Sequence, residues 1–363
     1  MGLWTRRTRA CSERRPGSSK CDRQLFHAGL AAATFLILLG LSLLYLPEPL
    51  ALEPATAALE VTLLIWTHPF GRKRPLPDCW LRYGVDGCVL TDDPRAYARA
   101  DGVLVHHRDI VGGNAELPPE VDRPSGQKWI WLNYESPSHT PALWRLEGRF
   151  NLTMSYRTDS DIFLPYGYLV LKHGSGQLLS EPSRTSRPGF VAWVVSNWVD
   201  SQARVAFYYQ LSRYIQVDVF GRAGRSIPEG SGSVVQLVKR YHFYLALENS
   251  QHTDYITEKL WNAVLAGAVP VVLGPARKNY ERFLPPEAFI HVDDFPSVKA
   301  LARYLVELRR DPARLQSHLR WRTGYGLRQP TFWGEHYCTA CRVLKKNLGH
   351  TQVVHNLTGW FES

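Results

Sequence analysis

The sequence predicts an α/β protein of two Rossmann-like domains facing a cleft, preceded by one transmembrane helix. Three observations point there. Short apolar runs rich in β-branched or aromatic residues alternate with helix-like stretches, the pattern of a parallel sheet. A Gly-, Ser- and Pro-containing stretch at 172–189 divides the chain. Leu25–Leu46 is a 22-residue apolar run without formal charge, long enough for a ~30 Å hydrocarbon core.

Composition agrees with a folded chain. Of 363 residues, 45% are hydrophobic and 21% charged, which excludes disordered and fibrous classes. The length suggests about two domains, and no internal repeat suggests a solenoid or propeller. The formal net charge is +10. Residues 1–24 carry seven basic and two acidic side chains, net +5, leaving +5 over the other 339 residues. The basic balance therefore gives no argument for nucleic acid, and no zinc-finger or RNP pattern occurs.

The basic run precedes the apolar one, and Pro47, Glu48 and Pro49 follow it. The positive-inside rule makes 1–24 a cytoplasmic tail, 25–46 a signal anchor and 47–60 a stem, with the rest beyond the membrane. A cleaved signal peptide would have a shorter apolar core and a small-x-small site. The sequons at Asn151 and Asn356 fit a lumenal catalytic part. Cys11 and Cys21 fall on the reducing side. Cys79, Cys88, Cys338 and Cys341 read as two disulfides in an oxidising lumen. Three pairings are open, and two of them tie the start of the lumenal region to its end. A four-thiolate zinc site is the weaker alternative, because eight residues separate the first pair.

In chain order, Val61–Trp66, Gly102–His106 and Trp129–Asn133 read as buried strands of a first domain over 61–175. The stretch 172–189 reads as the interdomain linker. A second domain covers 185–363, with its C-terminal segment linked back to the first. Within it Phe190–Val195, Val217–Gly221, Phe243–Leu247 and Val269–Leu273 read as strands. Gln202–Arg213, Tyr255–Ala266 and Val298–Arg309 read as helices. In the middle helix Ile256, Leu260 and Val264 share a face, with Asp254 as N-cap and Gly267 just past the end. Ligands of such sheets sit beyond the carboxyl ends of the strands.

One segment carries chemistry of its own. A strand ends at Glu248-Asn249, a loop follows, and the next helix opens with Glu258 and Lys259. A lysine that early opposes the helix dipole unless an anion is present, which makes Lys259 a candidate diphosphate ligand. Glu258 can accept hydrogen bonds from sugar or ribose hydroxyls. Neither GxxxxGK[ST] nor GxGxxG occurs, so ATP hydrolysis and NAD chemistry lack support.

The run FYLALENSQHTDYITEKLWNAVLAGAVPVVLGP (243–275) resembles the donor-binding motif of the α1,3-fucosyltransferases. AWVVSNW (192–198), VDVFGR (217–222), WIWLNYESPSH (129–139) and SYRTDSDIFLPYG (155–167) resemble the same family, over roughly residues 60–363. The resemblance implies a two-domain GT-B variant in a Golgi type II membrane protein. It also implies transfer of L-fucose from GDP-fucose to the 3-hydroxyl of GlcNAc, with inversion. The acceptors would be lactosamine-type glycans on glycoproteins and glycolipids, giving Lewis x and sialyl Lewis x type products. No cofactor is required, Mn²⁺ stimulation is left room for, and a homodimer is compatible.

Residue by residue, Glu135 matches the family's proposed base. Ser196, Asn197, Arg204, Asn249, Tyr255, Glu258 and Lys259 match donor contacts, with Arg204 and Lys259 on the diphosphate. Phe70, Arg108 and Tyr166 fall on the acceptor side, with Arg72 a weaker candidate. Arg at position 108 resembles members that prefer type 2 chains. The adjacent His106 and His107 read as structural rather than metal-binding. The family's pairing is Cys79 with Cys338 and Cys88 with Cys341. Asp159-Ser160-Asp161 spells DxD, a divalent-cation pattern in other glycosyltransferases, but it lies far from the donor motif and reads as structural. Two rivals are a glycan-binding protein of this fold without turnover, and a glycoside hydrolase using Glu135 and Glu258 as its carboxylate pair.

Overall fold

The computed structural model describes residues 60–172, 177–179, 187–227 and 233–363. The expected tail, anchor and most of the stem, with Cys11 and Cys21, lie outside the described residues. No helix of the described residues is long and apolar enough to cross a membrane.

The first lobe is a six-stranded parallel sheet. Its strands are β1 (Val61–Ile65), β2 (Cys88–Thr91), β3 (Gly102–His106), β4 (Lys128–Leu132), β5 (Leu152–Ser155) and β6 (Ile162–Phe163). They lie in the order β2-β1-β3-β4-β5-β6. β3 and β4 are buried at every position, as expected of strands covered on both faces. After β7 (Tyr168–Leu171) and β8 (Gln177–Leu178), the second lobe begins. It comprises β9 (Gly189–Val194), β10 (Asp218–Phe220), β11 (Tyr241–Leu247), β12 (Val269–Leu273) and β13 (Ile290–His291), also all parallel, in the order β10-β9-β11-β12-β13. β14 (Tyr325–Arg328) lies antiparallel between β7 and β8.

The second sheet shows why its sequence was legible. Along β11, Phe243, Leu245 and Leu247 join a core shared with α1 (Ala203–Leu211) and with Leu301 and Leu305. The alternate residues Tyr244 and Ala246 join the core under α2 (Glu258–Ala266). Period-2 alternation thus feeds two apolar layers. Leu301 and Leu305 belong to α3 (Val298–Arg310), whose N-cap Ser297 accepts from the Ala300 N–H at 3.2 Å.

Two expectations are corrected. The middle helix starts at Glu258 with Thr257 at the N-cap, and Asp254 is no cap. Asp254 has φ 60 and bonds to other segments instead. Gly267 does end the helix in the left-handed conformation, φ 68. The stretch read as a linker contains β8, so part of it is sheet.

The chain returns to the first lobe through α4 (Gly334–Asn347) and α5 (Leu357–Glu362). α4 packs against β1, β2 and β3. Gly102 makes room for it, since a Cβ there would stand 2.6 Å from a Leu344 methyl. Cys338 and Cys341 lie three apart on α4 and reach Cys79 and Cys88, with Cα–Cα distances of 5.3 and 6.0 Å. This is the pairing the family resemblance implied.

Candidate active site

Each parallel sheet has one place where successive connections leave in opposite directions, and ligands settle at the strand ends there. In the first sheet that point lies between β1 and β3. Phe70 follows β1 and Arg108 follows β3, and the Arg108 guanidinium stands 5.5 Å from the Phe70 ring centroid. In the second sheet the point lies between β9 and β11. Ser196 and Asn197 follow β9, and Glu248 and Asn249 follow β11. The topology thus places Phe70, Arg108, Ser196, Asn197 and Asn249 at the two switch points.

Glu135 follows β4 and lies in the wall of two cavities. One, of about 490 Å³, is lined by His107, Arg108, Asn133, Glu135 and His139 of the first lobe and by Asn197 and Asn249 of the second. The other, of about 450 Å³, is lined by Phe70, Arg72, Tyr134, Tyr166, Phe332 and Trp333, with Glu135 and Glu258. The Glu135 side chain is 26% exposed and its Oε1 accepts from Arg108 Nη1 at 3.3 Å. Arg108 is 60% exposed, so this pair contributes at most about 1 kcal/mol and an incoming ligand can displace it.

The adjacent histidines are committed elsewhere. His107 Nε2 donates to the Pro141 carbonyl at 2.9 Å and Nδ1 accepts from Trp131 Nε1 at 3.2 Å. Burial pushes its pKa down to about 4, so the ring is neutral. His106 Nδ1 lies 2.6 Å from Asp109 Oδ2. Burial raises the Asp109 carboxyl, but bonds from His106, Asn114 and the Phe70 N–H hold it below the usual range. The last of these, at 3.0 Å, secures Phe70 at φ 63 with its ring 44% exposed.

On the donor-motif side, Arg204 is 5% exposed. It donates to the Gln202 side chain and the Asn197 carbonyl, both neutral. Burial pushes its pKa down, while the nearby Glu248, Tyr255 and Glu258 push it up. It forms no ion pair among the described residues, which leaves its charge available to an anion. Lys259 differs. Its ammonium donates to Glu248 Oε2 at 3.0 Å and to Thr257 Oγ1 at 2.6 Å, with Glu258 Oε1 at 3.3 Å. Desolvation lowers the Lys259 pKa, but Glu248 and Glu258 raise it further, so it stays charged. Glu248 is itself pushed up by burial. Sequence reasoning missed this carboxylate. Its only signal was a charged residue ending an otherwise apolar strand. Tyr255 is 3% exposed, with its ring 5.2 Å from that of Tyr156.

Phe332 and Trp333, which line the aromatic cavity, were also missed. They precede α4, whose return over the first sheet brings them to the site. The His336 ring packs 4.3 Å from Phe332 and 4.7 Å from Tyr134. The aromatic density of TFWGEHY (331–337) was the available signal. Tyr166 donates from its hydroxyl to the Tyr134 carbonyl at 2.5 Å.

The DxD carboxylates are engaged structurally. Asp159 takes Arg157 at 2.8–2.9 Å, and Asp161 accepts from the Thr153 N–H and hydroxyl at 2.7 and 2.8 Å. Among the described residues no group of three or more His, Cys, Asp or Glu is placed to hold a metal ion. Asn151 is 8% exposed, and its side chain bonds to the Trp129 N–H and the Gln352 carbonyl. Asn356 is exposed and caps α5 through the Gly359 N–H at 3.0 Å.

The chain is similar to known proteins over most of its length. Residues 184–360 match the family model "Glycosyltransferase family 10 (fucosyltransferase) C-term", and 59–167 match "Fucosyltransferase, N-terminal". The chain is 49% identical over 341 residues to alpha-(1,3)-fucosyltransferase 4 of Bos taurus, covering 83% of this chain and 86% of that one. It is 46% identical over 353 residues to the Homo sapiens protein of that name, covering 86% and 67%. It is 48% identical over 335 residues to the Hylobates lar 4-galactosyl-N-acetylglucosaminide 3-alpha-L-fucosyltransferase FUT5, covering 87% of each. Among solved structures, an alpha1,3-fucosyltransferase crystallised with GDP-fucose superposes with TM-score 0.52 at 17% identity, over 82% of this chain and 92% of that one. That likeness establishes the shared fold.

Proposed function

Because the chain belongs to glycosyltransferase family 10, the fucosyltransferases, we propose that it transfers L-fucose from GDP-fucose to the 3-hydroxyl of GlcNAc in type 2 lactosamine-type glycans, inverting the anomeric centre. The observation that carries this reading is the position of Glu135 in the wall shared by two cavities. A donor in the cavity lined by Asn197 and Asn249 and an acceptor in the aromatic cavity would meet at this carboxylate.

Glu135 removes the proton from the acceptor O3 as the O3–C1 bond forms. The C1–phosphate oxygen bond breaks, and its electron pair leaves with GDP. Arg204, which makes no ion pair among the described residues, supplies positive charge for the departing diphosphate. Lys259 adds less net charge, because Glu248 and Glu258 already face it. Asn197 and Asn249 line the nucleotide side, beside Ser196 and Tyr255. Phe70, Tyr166 and Trp333 give the apolar faces of the acceptor sugars a surface, and Arg108 stands at its edge. The name of the gibbon relative, which specifies a 4-galactosyl-N-acetylglucosaminide, supports the type 2 acceptor. A Golgi type II membrane location rests on the basic tail and the apolar run. Metal-independent turnover rests on Asp159 and Asp161 having partners of their own.

The test is transfer from GDP-fucose to type 1, type 2 and sialylated type 2 acceptors with EDTA present, with product linkage read by NMR. Type 2 product carrying an α1,3 bond is the expected result. Exclusive type 1 product, or transfer that EDTA abolishes, contradicts it. Loss of fucose from fucosylated glycans without GDP would instead mark a hydrolase using Glu135 and Glu258.

A further inference from the structure

We propose that Asp254 is a positioning residue through which the first lobe holds the donor loop in its binding conformation. The inference rests on the proposed roles of Tyr255 and Lys259 in binding GDP-fucose. Asp254 is a non-glycine residue at φ 60, a conformation an L residue keeps only when its surroundings enforce it. Those surroundings are complete. Its side chain is 1% exposed. Oδ2 accepts from the Thr158 N–H at 2.9 Å and the Thr158 hydroxyl at 2.8 Å. Oδ1 accepts from Asn279 Nδ2 at 2.5 Å and Arg282 Nη1 at 3.1 Å. The Asp254 N–H donates back to Asn279 Oδ1 at 2.7 Å, and Arg282 Nη2 donates to the Thr158 hydroxyl at 2.6 Å.

Thr158 lies in the first lobe, between β5 and β6, whereas Asp254 immediately precedes Tyr255 in the second. Three residues on, the Thr257 N–H donates to Glu248 at 2.8 Å. Tyr255 and Ile256 are therefore fixed between two buried carboxylates, one answering to the first lobe and one to Lys259. The arrangement gives Thr158, the residue just before Asp159-Ser160-Asp161, a contact with the donor loop.

The test uses Asp254→Asn. Asparagine tolerates the left-handed backbone, so only the acceptor set changes. Its NH₂ must face either the Thr158 donors or those of Asn279 and Arg282, and one pair becomes donor against donor. The expected result is a tenfold or greater rise in KM for GDP-fucose and in Kd for GDP, with acceptor KM within twofold of wild type. Thr158→Val, which removes only the hydroxyl contacts, is expected to shift the same two constants about threefold. A merely structural residue would lower the yield or melting temperature and leave both constants unchanged in the surviving protein, and that result overturns the inference. If Asp254→Asn does not fold, Thr158→Val decides by the same criterion. Wild-type protein that binds no GDP would instead overturn the functional reading and the inference with it.

Discussion

At Lys259 the local sequence identified the residue but not what faces it. The helix-start argument pointed to an anion, and the structure places the Glu248 carboxylate 3.0 Å away. Glu248 was not legible because a residue eleven positions upstream becomes a neighbour only once strand and helix pack. The ammonium therefore answers both to folding and to ligand. Lys259→Met leaves a 1%-exposed carboxylate unpaired, which costs on the order of 3–5 kcal/mol. A depressed chemical-denaturation midpoint and loss of GDP binding are expected. Adding Glu248→Gln should restore much of the stability without restoring GDP affinity. A double variant no more stable than Lys259→Met would show that the pair is not the source of the loss. Glu135, by contrast, was singled out by the resemblance, and the structure places it in the wall of two cavities.

Among elements, β9 to β12 and the helices α1 and α3 were read to within one or two residues, because period-2 strands and period-3.6 helices alternate there. β2, β5, β6, β13 and the small β7-β14-β8 sheet were not read. They are two to four residues long, too short for periodicity to register. The start of α2 was misplaced because DYITEK offers two residues able to cap, Asp254 and Thr257, and tertiary contacts with Thr158 and Asn279 decide between them. The return of α4 onto the first sheet was legible only as a disulfide tie. Its close fit over Gly102 can be tested directly. Gly102→Val should cost about 1–3 kcal/mol through overpacking against Leu344, seen as a lower melting temperature. Leu344→Ala in that background should recover part of it. An additive loss in the double variant would contradict the proposed contact.

For the whole molecule, the two disulfides close nearly the same loop, with separations of 259 and 253 residues. Either bridge alone keeps the chain ends together. The second then closes only the short ring through 79–88 and 338–341. In the chain-entropy model the first removal should cost ~3 kcal/mol and the second ~5 kcal/mol. Denaturation of Cys88→Ser/Cys341→Ser beside the variant lacking all four cysteines measures both steps, and equal steps would contradict the nested-loop account. Acid stability belongs to the same scale. Burial pushes His107 to about 4 and His336 to about 3. The unfolded chain takes up these protons below about pH 6.5 while the folded chain does not. Stability should be full above that pH and fall as pH drops toward 4. His336→Phe, set among aromatic neighbours, should flatten the fall by on the order of 3 kcal/mol. An unchanged pH profile of the melting temperature would remove His336 from that account. In the proposed reaction Glu135 takes the acceptor proton, and kcat and GDP affinity of Glu135→Gln beside wild type test that role. A fall in kcat of at least ~100-fold with GDP Kd within twofold is expected. A variant that keeps wild-type kcat would contradict it.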